Sequence, residues 1–226
     1  MKNKKMRTVL TAGALASVLL VGGIAAYFTD FETKTNTFTV GEVGIKLEEP
    51  KWNPTTDITP NQEITKDPTV TNEGRNDAYV FMEVVVPSLE IKTANADGTV
   101  NEAAFTELFS YELNEGWVEV GTKQEDKAKN TTTHVYAYAK DDAMTALAKT
   151  AKAPVLFKDE KVKFANVVED NTLHVEELDK NVDMIVNAYA IQTKDINGQG
   201  EAGKKAPADV WSVVKTQIDS NKSPAA

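Results

Sequence analysis

The chain has no cysteine and two histidines, His134 and His174, so thiol chemistry is closed to it and imidazole chemistry rests on two residues. A zinc protease of the usual kind places two His one helical turn apart with a Glu between them, because both imidazoles must reach one ion. Neither histidine has that context; they are forty residues apart, and His174-Val175-Glu176-Glu177 has carboxylates but no second imidazole nearby. His134 and His174 are the only candidates for a metal site, and a pair of ordinary surface or strand histidines is the simpler reading. Without a thiol there is no thiolate nucleophile or thiolate metal ligand. The serines after residue 26 (Ser88, Ser110, Ser212, Ser220, Ser223) include none in a Gly-x-Ser-x-Gly elbow. Asp195-x-Asn197-Gly198 lacks the closing Glu of a calcium loop. Glu48-Glu49 and Glu176-Glu177 read as solvated acids, and Trp52, Trp117 and Trp211 as core or rim residues rather than a sugar platform. No catalytic constellation and no cofactor are expected.

The first forty residues carry more information. A basic start (Lys2, Lys4, Lys5, Arg7) precedes an apolar run from Val9 to Ala26, with small residues at its end. That pattern is a secretory signal peptide, residues 1–26, cut between Ala26 and Tyr27. Gly13, Gly22 and Gly23 loosen the run and no basic stop-transfer cluster follows, so a permanent span is not expected. The location expected is extracellular, in the matrix or at the cell surface. The whole chain has 25 basic and 34 acidic residues; without the four signal-peptide cations the balance falls to −13. Such a surface repels nucleic acid and anionic lipid, and self-association would need its repulsion screened.

The mature part reads as strands separated by turns. Val43–Leu47 alternates, Ile64–Val70 is extended, and Ala78–Val86 is apolar on both faces except Glu83, as a central strand should be. Pro87 closes that strand in this reading. Tyr111–Leu113 and Trp117–Val120 flank Asn114-Glu115-Gly116 as a hairpin, Lys123–Lys129 is a loop, and Thr131–Ala139 and Val182–Ile191 are strands. Ala103–Phe109 and Asp141–Lys152 read as short helices, and Val210, Trp211, Val214 and Ile218 share one face of a closing helix. The fold class is all-β, a jelly-roll-like β-sandwich with a few short helices in the connections and near the C-terminus. Residues 41–226 form one domain, preceded by an aromatic, β-prone segment over residues 27–40.

Several segments together resemble one family. They are Gly22-Gly23-Ile24-Ala25-Ala26-Tyr27-Phe28-Thr29-Asp30, Asn36-Thr37-Phe38-Thr39-Val40-Gly41, Trp52-Asn53-Pro54, Thr59-Pro60-Asn61-Gln62, Lys66-Asp67-Pro68-Thr69-Val70-Thr71-Asn72-Glu73-Gly74, Asp77-Ala78-Tyr79-Val80, Ala188-Tyr189-Ala190-Ile191-Gln192 and Ala208-x-x-Trp211. In order and number they resemble the TasA/camelysin family, secreted proteins of Gram-positive spore formers processed by a SipW-type signal peptidase. The resemblance implies a jelly-roll subunit of biofilm-matrix fibres, in which the N-terminal segment of one subunit adds as a strand to the next. Here that segment would hold Tyr27, Phe28, Phe31, Phe38 and Val40. The partners implied are further copies of the chain, the SipW-type peptidase, and an anchor or accessory subunit. Camelysin-like members are classed as metalloproteases, so a secreted metal-dependent endopeptidase is the alternative, and an accessory or adhesion subunit of another protein's fibre is a third.

Overall fold

In a computed structural model of the chain, residues 29–33, 36–38, 43–53, 58–168, 183–194, 196 and 205–222 are described. The architecture is built around β6 (Ala78–Ile91), whose even positions Val80, Met82, Val84 and Val86 are fully buried on one face. Phe81, at an odd position, is equally buried on the other. A strand apolar on both faces must be covered on both, and β6 is. On one side it pairs with β11 (Thr131–Lys140), and on the other with β14 (Ile185–Gln192). Among the described residues the large sheet runs in the order β10 (Gln124–Asp126), β11, β6, β14, β1 (Thr29–Thr33), β2 (Asn36–Phe38). Strands β7 (Ala104–Glu107), β9 (Trp117–Glu119) and β12 (Ala143–Met144) attach to its ends. All these pairings are antiparallel.

Two smaller sheets pack against the even face of β6. One pairs β3 (Ile45–Glu48) with β5 (Thr69–Asn72); the other runs β4 (Glu63–Thr65), β13 (Lys161–Phe164), β8 (Phe109–Ser110). Ile45, Val70, Ile64, Phe109, Val162 and Phe164 from these sheets meet Val80, Met82, Val84 and Val86 in the main core. The opposite face is covered at one end by α1 (Pro207–Lys222): Val210 and Val214 are buried against Phe81, Ala137, Tyr189 and Ile191. Trp211 lies 5.2 Å from Phe81 and 5.6 Å from Tyr189, ring centre to ring centre. The fold class is therefore an all-β sandwich with one helix near the C-terminus, as the alternation in the sequence predicts.

Five local expectations are corrected. Pro87 does not end β6, because the strand changes partners there. Its last pair with β14 is Val85 with Ile185, and Ser88–Ile91 then pairs with β7, so the proline sits at the handover where its missing N–H costs little. Within residues 103–109 the chain forms strands rather than a helix: β7 takes the edge that this handover offers, and β8 pairs with β13. Residues 141–152 are not helical either. Asp141 and Asp142 have φ of 50° and 59°, the paired positive values of a tight hairpin turn between β11 and β12, and Leu147 and Lys152 bridge to Ala78 and Thr71. Alanine-rich helix propensity is a weak preference that tertiary pairing overrides. The turn at Gly116 exists, with φ of 94°, but its flanks do not pair with each other. Trp117–Glu119 joins β11 while Leu113 bridges to Phe157. The polar stretch 123–129 includes the short edge strand β10.

Candidate assembly edge and histidine cluster

The outer edge of β14 is where the N-terminal segment lies. Thr29 is opposite Ile191, Asp30 opposite Ala190, Phe31 opposite Tyr189, Glu32 opposite Ala188 and Thr33 opposite Asn187. β2 then turns back on β1, with Phe38 opposite Phe31. One register row thus runs Ala137, Phe81, Tyr189, Phe31, Phe38 across four strand boundaries. On the β14 side the edge is well fixed. Ala188 and Ala190 are fully buried toward the main core, while Tyr189 donates its hydroxyl to Glu83 at 3.2 Å and Asn187 donates its amide to the same oxygen at 3.0 Å. Burial, and then the negative Glu83, hold the Tyr189 phenol well above its ordinary range, so it stays a donor. Ile185 projects beyond the end of β1 and is half exposed. Of the sequence-predicted assembly residues, Phe31 and Phe38 are strand positions in β1 and β2, whereas Tyr27, Phe28 and Val40 lie outside the described residues, as do Ala26 and the whole signal segment.

His134 sits at the opposite side of β6, facing Val84 in register. It is 9% exposed, and both ring nitrogens meet carboxylates: Nδ1 lies 2.8 Å from Glu119 Oε1 of β9, and Nε2 lies 2.9 Å from Glu107 Oε2 of β7. Lys123 donates to the other Glu107 oxygen at 2.9 Å. The Tyr136 ring is parallel to the imidazole, the Tyr111 ring meets it edge-on, and the two hydroxyls share a hydrogen bond of 2.8 Å. Two acceptors on one imidazole require both nitrogens to donate, which is the protonated form. Burial opposes that charge, but the hydrogen bonds and the charges of Glu107 and Glu119 outweigh it, so the His134 pKa is raised. Burial likewise pushes the Glu107 carboxyl up, and the bonds from His134 and Lys123 more than offset it, leaving its pKa lowered.

This arrangement does not fit a zinc ligand. Glu107 and Glu119 flank opposite nitrogens, so an ion bound at one nitrogen could reach only one of them. Among the described residues no group of three His, Asp or Glu side chains converges to hold a metal. His174 lies outside the described residues. The three tryptophans share no platform: Trp117 is buried with its indole N–H donated to the Pro154 carbonyl at 3.0 Å, Trp52 packs against the same core, and Trp211 covers the opposite face.

The family model of camelysin metallo-endopeptidases matches residues 1–104. Over this N-terminal stretch the chain is similar to the camelysin family. No curated protein and no solved structure matches the chain. The camelysin-type region takes in β1 to β6 and the start of β7, that is, the N-terminal hairpin, both strands of the β3–β5 sheet and the central strand. It excludes β14, to which the hairpin is paired, and His134.

The partners of His134 escaped the sequence reading because they come from three separate strands. A signal for one further buried polar group was present: Ile64 is buried, Thr65 exposed and Lys66 buried, so strand alternation carries the lysine inward.

Proposed function

We propose that the chain is a secreted structural subunit that assembles head to tail into extracellular fibres, each N-terminal segment adding as a strand to the sheet of the next copy. The observation that carries this reading is the pairing of β1 along the β14 edge. β1 is terminal, it covers that edge from outside, and all its pairing with β14 is main-chain pairing that a second copy of the same segment can reproduce. Exchange of an identical element between copies needs no new contact, and a head-to-tail exchange does not close, so it yields a filament. The pairing within one chain is then the closed, unpolymerised state. The similarity to the camelysin family over residues 1–104 agrees with the TasA/camelysin resemblance on which this reading also draws. Export through a SipW-type peptidase would expose the segment at Tyr27.

The acidic balance of the mature chain sets the expected conditions. Purified mature protein, viewed by electron microscopy, should form filaments more readily at high than at low salt, and more readily as carboxylates are protonated. Absence of filaments under all these conditions, in a folded protein, would sink the proposal. Filaments equally abundant across salt and pH would remove the electrostatic part of it.

A further inference from the structure

Glu49 and Lys66 form an ion pair buried beneath the turn that follows β3. Lys66 Nζ lies 2.9 Å from Glu49 Oε1, and the two side chains are 5% and 7% exposed. The Trp52 indole covers the ammonium, with Nζ 4.8 Å from the ring centre. Asp67 is buried as well and accepts the Lys51 backbone N–H on both carboxylate oxygens, at 3.1 and 3.0 Å, which fixes a second acid beside the same turn. The backbone is held on both sides: Lys66 N–H donates to the Glu160 carbonyl at 2.8 Å, and Trp52 N–H to the Glu49 carbonyl at 3.2 Å.

Two buried charges are expensive to keep, because attraction repays their desolvation only in part. Transfer of one proton from the ammonium to the carboxylate leaves an amine beside a carboxylic acid, with no charge to bury. That amine is a nucleophile whose nitrogen lies 2.9 Å from an oxygen of the carboxyl group, and fixed proximity of this kind replaces the high concentration that the reaction would need in solution. We propose that Lys66 and Glu49 condense into an intramolecular side-chain amide. The Lys66 ammonium first gives a proton to the Glu49 carboxylate. The freed nitrogen lone pair attacks Cδ and forms the C–N bond. A second nitrogen proton passes to the Glu49 hydroxyl oxygen. The C–O bond then breaks and one water leaves. Nothing is oxidised or reduced, and the product buries no charge.

The bond would close the stretch from Glu49 to Lys66 in a chain that has no cysteine to form a disulfide. It would also link the end of β3, the strand that follows the N-terminal hairpin, to the connection between β4 and β5. If load enters through that hairpin, as the assembly reading holds, the amide lies on its path; the bond itself does not depend on that reading.

Intact-mass measurement of the unfolded, full-length mature protein tests the proposal once its N-terminus has been read. The expected mass is one water below that of the sequence. Digestion at lysines should give a branched peptide joining the Glu49 and Lys66 segments, with no cut after Lys66. Lys66→Met and Glu49→Ala should each lack the branched peptide and show the unmodified mass; the wild-type measurement stands even where a variant fails to fold. A wild-type mass equal to the sequence, with a linear peptide ending at Lys66, would overturn the proposal whether or not the protein forms fibres.

Discussion

A chain beginning at residue 41 is expected to fold and to form no filaments. The two hydrophobic clusters, the helix and both small sheets lie within residues 43–222, so the truncation removes an edge and leaves these clusters in place. What it exposes is the outer edge of β14 from Asn187 to Ile191. At about 1 kcal/mol net per hydrogen bond, a five-residue edge strand contributes on the order of 3 kcal/mol, which a sandwich of this size can lose and still fold. The effect on assembly is of another order, because each copy loses the strand it would donate. Electron microscopy should show no filaments, circular dichroism should show retained β-structure, and a synthetic peptide of residues 27–40 should bind the truncated protein. Filaments from the truncated chain would show that the N-terminal segment is not the connector.

The second large effect concerns His134. Its pKa is raised, so the stability it contributes is fully present below its ordinary value of 6.5 and is lost as pH rises through the higher folded value. The Glu107 pKa is lowered, so its contribution is present above 4.5 and is lost as pH falls through the lower folded value. The cluster is therefore complete between about pH 4.5 and 6.5. His134→Asn should destabilise the fold by about 2 kcal/mol in that window. This is less than a fully buried pair would cost, because the Glu119 side chain is 43% exposed and water screens part of the charge it leaves. Urea unfolding of both proteins from pH 4 to 9 should show the difference narrowing on either side of the window. A difference that keeps growing above neutral pH would mean that His134 is bound as the neutral imidazole. The cluster joins β7, β9 and β11 and is separated from β14 by β6, so filament formation by the folded variant should be unchanged.

The parts of this fold that a sequence reader can see are those where one physical signal dominates. Ala78–Val86 has a fully apolar run and is the central strand; His134 and Tyr136 alternate with Val135 and Ala137 and do face opposite sides of β11; Val210 and Val214 recur at helical spacing and are the buried stripe of α1. The misread segments are those where local preference and pairing disagree. Asp141–Lys152 reads as a helix, yet the positive φ angles of Asp141 and Asp142 make its start a hairpin turn. Pro87 resembled a stop, yet the strand passes through it by changing partners. The N-terminal segment was legible as a β-prone strand. Its place beside β14, more than 150 residues later in the chain, was not, because register across such a separation leaves no local pattern. The environments of His134 and Lys66 depend on the same long-range pairings.

The central claim, that β1 leaves its own sheet to complete another, can be tested by locking it in place. Glu32 and Ala188 are register partners, and the chain has no other cysteine to interfere with a disulfide between them. In the double variant Glu32→Cys, Ala188→Cys, oxidised as a monomer, the hairpin is tied to its own β14. Electron microscopy should then show no filaments, and adding a reductant should restore them to the wild-type level. Filaments formed by the oxidised, intramolecularly linked monomer would contradict strand exchange.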